Sequence, residues 1–171
     1  FPAATTPHGC RVGKDTWIVI MSRYHILLIV PSATERTAIG QILQNDLGQP
    51  FRCTETTTAA NGLHHWRQGQ TTDDAIDLIL LDWRLPDMDI GSFLHTLQGT
   101  AALLPLPVIV VSNQESELAA QGTLAVGVQD VITKAQALSS ELPRLLTKAL
   151  TRFQVVQQLH TNAVHFQTLA T

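Results

Sequence analysis

The sequence has 171 residues and a formal net charge of −3, with 44% hydrophobic and 15% charged residues. This balance is typical of one globular domain plus an extension. No dense basic patch occurs, which argues against nucleic acid as a partner of this segment, and no apolar run approaches the ~18 residues of a membrane span. Cys10 and Cys53 form neither a disulfide framework nor a metal-ligand pattern, and we expect a reducing, cytoplasmic compartment.

The N-terminal segment is predicted to lie outside the domain. It contains several prolines and glycines without a hydrophobic period, although residues 17–20 are apolar enough to form an edge strand. We therefore expect an N-terminal extension over residues 1–20, a domain over residues 21–152 and a helical linker over residues 153–171.

Apolar runs and helical spacings alternate along the rest of the chain. Each short apolar run bounded by Pro, Gly or polar residues predicts a strand buried on both faces. Apolar residues at intervals of three and four predict helices between the strands, the first of them capped by Ser32 or Thr34. Strands are expected at residues 25–30, 51–55, 78–82, 107–112 and 126–133, and helices up to about 47, at about 59–68, 92–97 and 114–121, and from 140 onward. This order predicts a parallel sheet with helices on both faces and right-handed crossovers.

Three polar side chains close three of the predicted strands, namely Asp82, Ser112 and Lys134. They are 30 and 22 residues apart, so all three should emerge at the same edge of the sheet. A buried Asp is rare unless it is paired or functional, which makes Asp82 the leading candidate for a site. A carboxylate, a hydroxyl and an ammonium at one place suit phosphoryl transfer onto the carboxylate, because the other two groups stabilise phosphate oxygens. We therefore expect Lys134 close to Asp82.

This arrangement resembles the receiver domain of two-component response regulators. Residues 82–89, DWRLPDMD, are similar to the segment that follows the family's phosphoacceptor, and the resemblance covers residues 25–152. It implies a doubly wound, flavodoxin-like sheet of five parallel strands. It further implies that Asp82 accepts a phosphoryl group from a histidine kinase or phosphotransfer protein, with Ser112 and Lys134 as its partners. The domain would be regulatory rather than an enzyme, whether or not the parent chain continues into a kinase or another output module.

The chain departs from the family after the first strand. Receivers usually carry two acidic residues there, which hold Mg²⁺ together with the phosphoacceptor. The matching positions are Val30 and Pro31, or Pro31 and Ser32 in the alternative register, and none is a carboxylate. With Asp82 as the remaining carboxylate ligand, we expect Mg²⁺ binding to be weak or absent. The family's aromatic residue three positions before the lysine is Val131.

Two functions from different classes stay open at this point. The first is a phosphoacceptor domain that passes the change at Asp82 to an attached output module. The second is a pseudo-receiver, a protein-interaction module that keeps the fold but is not phosphorylated because the acidic pair is missing.

The C-terminal segment has the pattern of a helix that extends beyond the domain. Apolar residues recur at steps of four, three, four and three from Leu142 to Val156, and the pattern continues less regularly to Phe166. Such a seam predicts one helix from about Ser140 to about Gln167 that pairs in parallel with a second copy of the chain. The segment also resembles linkers that join a receiver to a following sensory domain of the PAS type. The alternative is a tail that folds back on its own domain.

Overall fold

Five parallel strands form one sheet in the computed structural model, which describes residues 24–45, 51–72, 74–101, 103–113 and 128–170. The strands are β1 (His25–Ile29), β2 (Arg52–Thr56), β3 (Leu78–Asp82), β4 (Val108–Ser112) and β5 (Asp130–Thr133), in the order β2-β1-β3-β4-β5. Each neighbouring pair is parallel. In a doubly wound sheet of this order, ligands bind beyond the carboxyl ends of the strands near β1 and β3. The predicted flavodoxin-like fold class is confirmed.

Helices cover both faces of the sheet. They are α1 (Ala33–Gln44), α2 (Ala59–Gly69), α3 (Ile90–Gln98), the single-turn α4 (Lys134–Ala137) and α5 (Leu142–Ala170). Side chains from α1 and α5 share one buried cluster, and side chains from α2 and α3 share the other. The layers are therefore α1 and α5, the sheet, then α2 and α3.

Alternation along the strands separates the two clusters. Ile26 and Leu28 of β1 belong to the cluster with α1 and α5, whereas Leu27 and Ile29 belong to the cluster with α2 and α3. Every residue of β1, β3 and β4 is buried. Central strands covered on both faces need apolar side chains in both directions, which explains why polar residues occur only at the ends of these three strands.

The helix α2 approaches β1 closely at one glycine. A Cβ atom at Gly62 would overlap the side chain of Ile29. Because glycine has no Cβ, the helix backbone reaches the sheet at a separation that other residues would prevent.

Side-chain oxygens at the N-termini fix where the helices begin. Each of the four caps accepts a hydrogen bond from the backbone N–H three residues later: Ser32 for α1, Thr58 for α2, Asp89 for α3 and Thr133 for α4. The cap at Asp89 starts α3 at Ile90, two residues before the predicted start at residue 92. Of the two caps considered for α1, Ser32 is the one used.

The boundaries of the outer strands differ from the predictions. β2 begins and ends one residue later than predicted, since its register on β1 pairs Arg52 with His25. β5 is shorter than predicted and begins at Asp130, because its pairing with β4 starts there, opposite Ile109. Lys134 does not end a strand but is the first residue of α4, a helix that the sequence did not predict. The predicted strand is longer than β5 because residues 126–133 are rich in β-branched and apolar residues, which favour strands.

Some predictions fall outside the described ranges. These are the N-terminal extension over residues 1–20 with its edge strand, the helix at 114–121 and the continuation of the first helix to residue 47.

The helix α5 has a covered half and an exposed half. Leu142, Leu146 and Ala149 are fully buried against the sheet, and Leu150 is the last of the described side chains that is buried. Beyond it the helix continues without a break to Ala170. Large apolar side chains in this part are exposed: Val155 53%, Val156 44%, Leu159 62%, Val164 48%, Phe166 71% and Leu169 69%. Judged by length and mean hydropathy, no helix in the described ranges qualifies as a membrane span.

Candidate functional site

Asp82 is the last residue of β3, and its side chain is only 7% exposed. The strand pairing places it beside Val111 of β4, and the next residue, Trp83, donates its backbone N–H to the Val111 carbonyl. One carboxylate oxygen, Oδ1, accepts a hydrogen bond of 2.9 Å from the backbone N–H of Arg84. This bond orients the carboxylate so that its second oxygen, Oδ2, lies toward Lys134.

Lys134 brings a cation to the same edge. Its Nζ atom lies 3.6 Å from Asp82 Oδ2, as expected from the spacing of the two residues. The side chain is 25% exposed, and its backbone is fixed at the start of α4 by the capping box of Thr133 and Gln136. Partial burial opposes the charge of Lys134, but hydrogen bonds to Glu35 and the charges of Asp82 and Glu35 raise its pKa above 10.5.

Glu35 is a residue of this site that the sequence analysis missed. It lies in the first turn of α1, and both of its carboxylate oxygens accept hydrogen bonds of 2.9 Å from Lys134 Nζ. Its side chain is 27% exposed. An acidic residue in a first turn is ordinary, because it opposes the helix dipole, so its position gave no sign of a second role. Glu35 could have been identified from the predicted order of elements, which places the start of α1 at the same sheet edge as Asp82.

Ser112 is the last residue of β4 and is completely buried. The β4–β5 register places it opposite Thr133, the residue before Lys134. The structure therefore brings all three predicted residues to one edge of the sheet.

The segment after β1 contributes apolar surface and backbone to this edge. Val30 is buried, and the carbonyl oxygens of Val30 and Pro31 accept hydrogen bonds of 2.7 and 3.3 Å from the Arg36 guanidinium. A cavity of about 10 Å³ lies between the charged side chains and five apolar neighbours, which are Val30, Ile39, Val111, Ala137 and Leu138. A space of this size holds at most about one water molecule.

The loop after Asp82 is anchored by two carboxylates that cap helices. Asp87 accepts hydrogen bonds of 2.9 and 3.0 Å from the backbone N–H groups of Ala59 and Ala60, at the start of α2. Desolvation acts to raise the pKa of Asp87, but these donors outweigh it and hold the pKa below its usual range. Hydrogen bonds from the backbone and side chain of Ser92 lower the pKa of Asp89. The loop is thereby fixed to both helices on its side of the sheet.

A second group of ionisable side chains is the neighbouring pair His64 and His65, whose rings lie 6.3 Å apart on exposed positions of α2. Within the described ranges, no cluster of three or more His, Cys, Asp or Glu side chains has the arrangement of a metal site. The edge formed by Asp82, Lys134, Glu35 and Ser112 is therefore the best candidate site. It combines a buried carboxylate, an ammonium and a hydroxyl.

Comparison with known proteins agrees with this fold. The chain is 23% identical over 126 residues to the two-component response regulator ORR3 of Oryza sativa subsp. indica. The aligned residues cover 74% of this chain and 90% of that protein. The phosphorylated cyanobacterial phytochrome response regulator RcpA superposes with a TM-score of 0.57 at 23% identity, covering 76% of this chain and 91% of its own. The Mn²⁺-bound response regulator Rcp1 superposes with a TM-score of 0.54 at 20% identity. The superposition covers 75% of this chain and 90% of the Rcp1 chain. A sequence model of the response regulator receiver domain matches residues 26–148, and the chain therefore belongs to this family.

Proposed function

We propose that this receiver domain accepts a phosphoryl group on Asp82. The observation that carries the proposal is the pair of contacts at this carboxylate, with Oδ1 on the Arg84 amide and Oδ2 3.6 Å from the Lys134 ammonium. The amide holds one oxygen in place, and the ammonium lies where negative charge on an arriving phosphoryl group needs compensation.

The donor class is a phosphorylated histidine of a kinase or of a phosphotransfer protein. In the transfer, a carboxylate oxygen of Asp82 forms a bond to phosphorus while the phosphorus–nitrogen bond of the donor breaks. The electron pair of that bond stays on the imidazole nitrogen, which takes up a proton from solvent. Lys134 then neutralises phosphoryl charge, and the Ser112 hydroxyl donates to a phosphoryl oxygen. Such donors act inside the cell, which is the basis for proposing a cytoplasmic location.

The metal that receivers generally bind fits this site poorly. Mg²⁺ prefers an octahedral set of oxygens and usually takes one or two carboxylates. Here the residues after β1 are Val30, Pro31 and Ser32, and none of them is a carboxylate. The Ser32 hydroxyl caps α1, and Lys134 lies between the carboxylates of Asp82 and Glu35. We infer that Mg²⁺ binds weakly or not at all, and that Lys134 supplies most of the positive charge.

The proposal is tested with acetyl phosphate, a small donor that needs no kinase. We expect intact mass spectrometry to show a gain of one phosphoryl group in the wild-type chain. The Asp82→Asn variant has nearly the same shape but lacks the nucleophilic carboxylate, and it should show no gain. A gain of equal size in both chains would contradict Asp82 as the acceptor.

A pseudo-receiver is the second candidate function, and one observation favours it. The segment after β1 supplies no carboxylate to the edge around Asp82, and the cavity beside Asp82 has a volume of only about 10 Å³. In this case the fold serves as an interaction module, and the wild-type chain stays unmodified at every concentration of donor. The mass measurement therefore separates the two functions.

We further propose that the exposed half of α5 forms a parallel homodimer and continues into a sensor or kinase module. The division into an extension over residues 1–20, a domain over 21–152 and a linker over 153–171 belongs to this proposal. Its support is the apolar stripe of Val156, Leu159 and Phe166, which are spaced for a coiled-coil seam and are 44–71% exposed. Two such helices would bury these side chains against each other.

Charge on the stripe is expected to prevent this pairing. The Leu159→Glu substitution places a carboxylate in the proposed seam, where burial of an unpaired charge is unfavourable. The matched control is Gln158→Glu, which adds the same charge at an exposed position beside the seam. We expect sedimentation equilibrium to show dimers for the wild type and the control at high micromolar concentration, and monomers for Leu159→Glu. A monomeric wild type would contradict the dimer.

A further inference from the structure

The ammonium of Lys134 is shared unequally between two carboxylates. It donates to both oxygens of Glu35 at 2.9 Å, whereas its distance to Asp82 Oδ2 is 3.6 Å. In the unmodified protein Lys134 is therefore held more closely by Glu35 than by the proposed acceptor.

The neighbouring cation on α1 does not relieve this competition. Arg36 directs its guanidinium to the carbonyl oxygens of Val30 and Pro31 and lies 3.4 Å from Glu55. Among the described residues, the ion pairs of Asp82 and Glu35 are thus both made with Lys134, and these three groups carry a formal charge of −1.

A phosphoryl group on Asp82 would increase the negative charge at this place. An acyl phosphate carries close to two negative charges near neutral pH, and Glu35 would repel it across a distance of a few ångströms. The phosphoryl oxygens and Glu35 would also need the same ammonium. The repulsion by Glu35 and its competition for the ammonium therefore both disfavour the phosphorylated state.

We propose that Glu35 is a positioning residue that restrains Lys134 and thereby slows phosphorylation of Asp82. On modification, the ammonium moves from the Glu35 carboxylate to the phosphoryl oxygens. This inference rests on the proposed function, because it concerns the rate at which that same site is modified.

The variant Glu35→Gln isolates the carboxylate charge. Its backbone N–H still donates to the Ser32 cap at 3.4 Å, so the start of α1 keeps its hydrogen bond. The matched control is Glu55→Gln, which makes the same substitution at a carboxylate that contacts Arg36 instead of Lys134.

The experiment measures the rate of modification by acetyl phosphate, followed by intact mass, in the full chain. We expect Glu35→Gln to increase the rate on the order of 3- to 10-fold, since a like charge is removed from a partly exposed site. Glu55→Gln should leave the rate unchanged. A merely structural role of Glu35 would not accelerate the reaction.

A Lys134→Ala background shows whether Glu35 acts through the lysine. There, the acceleration by Glu35→Gln should shrink, because competition for the ammonium is gone. An undiminished acceleration in this background would overturn the competition, since Glu35 would then act by its own charge alone.

The remaining outcomes separate this inference from the function on which it rests. If the wild type is modified on Asp82 and Glu35→Gln is modified at the same rate or more slowly, the proposed restraint by Glu35 is wrong. The phosphoacceptor function is then still supported. If neither chain is modified, the phosphoacceptor function and the restraint both fail. Modification of Glu35→Gln alone would support the restraint but contradict the proposed function, because the wild-type chain would then not accept the phosphoryl group.

Discussion

Replacing Lys134 with alanine is expected to slow modification of Asp82 on the order of 10²-fold, the usual effect of removing one group that stabilises developing negative charge. The ammonium is 3.6 Å from Asp82 Oδ2 and is the cation that the described part of the chain places there. The rate follows from intact mass spectrometry with acetyl phosphate. Lys148→Ala, which removes an exposed lysine of α5, is the control and should keep the wild-type rate.

The same variant should lose about 1–3 kcal/mol of unfolding free energy, because two partly buried carboxylates then face each other without a cation. Asp82 is 7% exposed and Glu35 27% exposed, so solvent can relieve only part of this cost. Urea denaturation of both chains measures the difference. A variant as stable as the wild type and modified at the same rate would show that Lys134 is an ordinary surface lysine.

The contribution of Lys134 to stability also has a defined pH dependence. Burial acts to lower the pKa of Lys134 in the folded protein, but hydrogen bonds to Glu35 and the nearby charges of Asp82 and Glu35 together outweigh it and raise the pKa above the ordinary 10.5. The stabilisation is therefore fully present below about pH 10.5 and is lost as the pH rises through the higher, folded-state pKa. The difference in stability between the wild type and Lys134→Ala should be constant near neutral pH and shrink at strongly alkaline pH.

Mg²⁺ is expected to bind the unmodified domain more weakly than millimolar, and restoring a carboxylate after β1 should tighten binding on the order of tenfold, or ~1.4 kcal/mol. Pro31→Asp is the stronger test, since the side chain of Ser32 caps α1 and an Asp there would cap it as well. The double variant with Ser32→Asp should gain little more.

Titration of backbone amide shifts near Asp82 measures this affinity. Gln41→Glu serves as the control, because it adds a negative charge at an exposed position of α1, two turns away from the helix start. Millimolar or tighter binding by the wild type would contradict the weak site. An equal gain for the control would mean that net charge, rather than the position of the ligand, governs the affinity.

Local patterns in the sequence determine much of this fold. The apolar run that ends at Asp82 predicts β3 with the boundaries that the structure has, because a strand buried on both faces is apolar up to the residue at its end. The order of strands and helices then places the ends of β3, β4 and β5 at one edge, and with them Asp82, Ser112 and Lys134. These predictions need only hydrophobic patterning and the parallel arrangement.

Contacts between long side chains could not be predicted from these sequence patterns. Glu35 and Lys134 are 99 residues apart in sequence, and their hydrogen bonds depend on how α1 and α4 begin beside each other. The capping box at Thr133 makes Lys134 helical, whereas the apolar pattern alone extended the strand to it. Geometry at helix starts, rather than strand patterning, therefore decides which carboxylate holds the ammonium.

The most direct test of the central claim is to locate the phosphoryl group on the chain. Borohydride reduces an aspartyl phosphate to homoserine, so treatment of the modified protein followed by peptide mass spectrometry identifies the residue. We expect the converted residue at position 82 and at no other Asp, including the neighbouring Asp87 and Asp89. Conversion at another position, or none after prolonged exposure to acetyl phosphate, would contradict Asp82 as the phosphoacceptor.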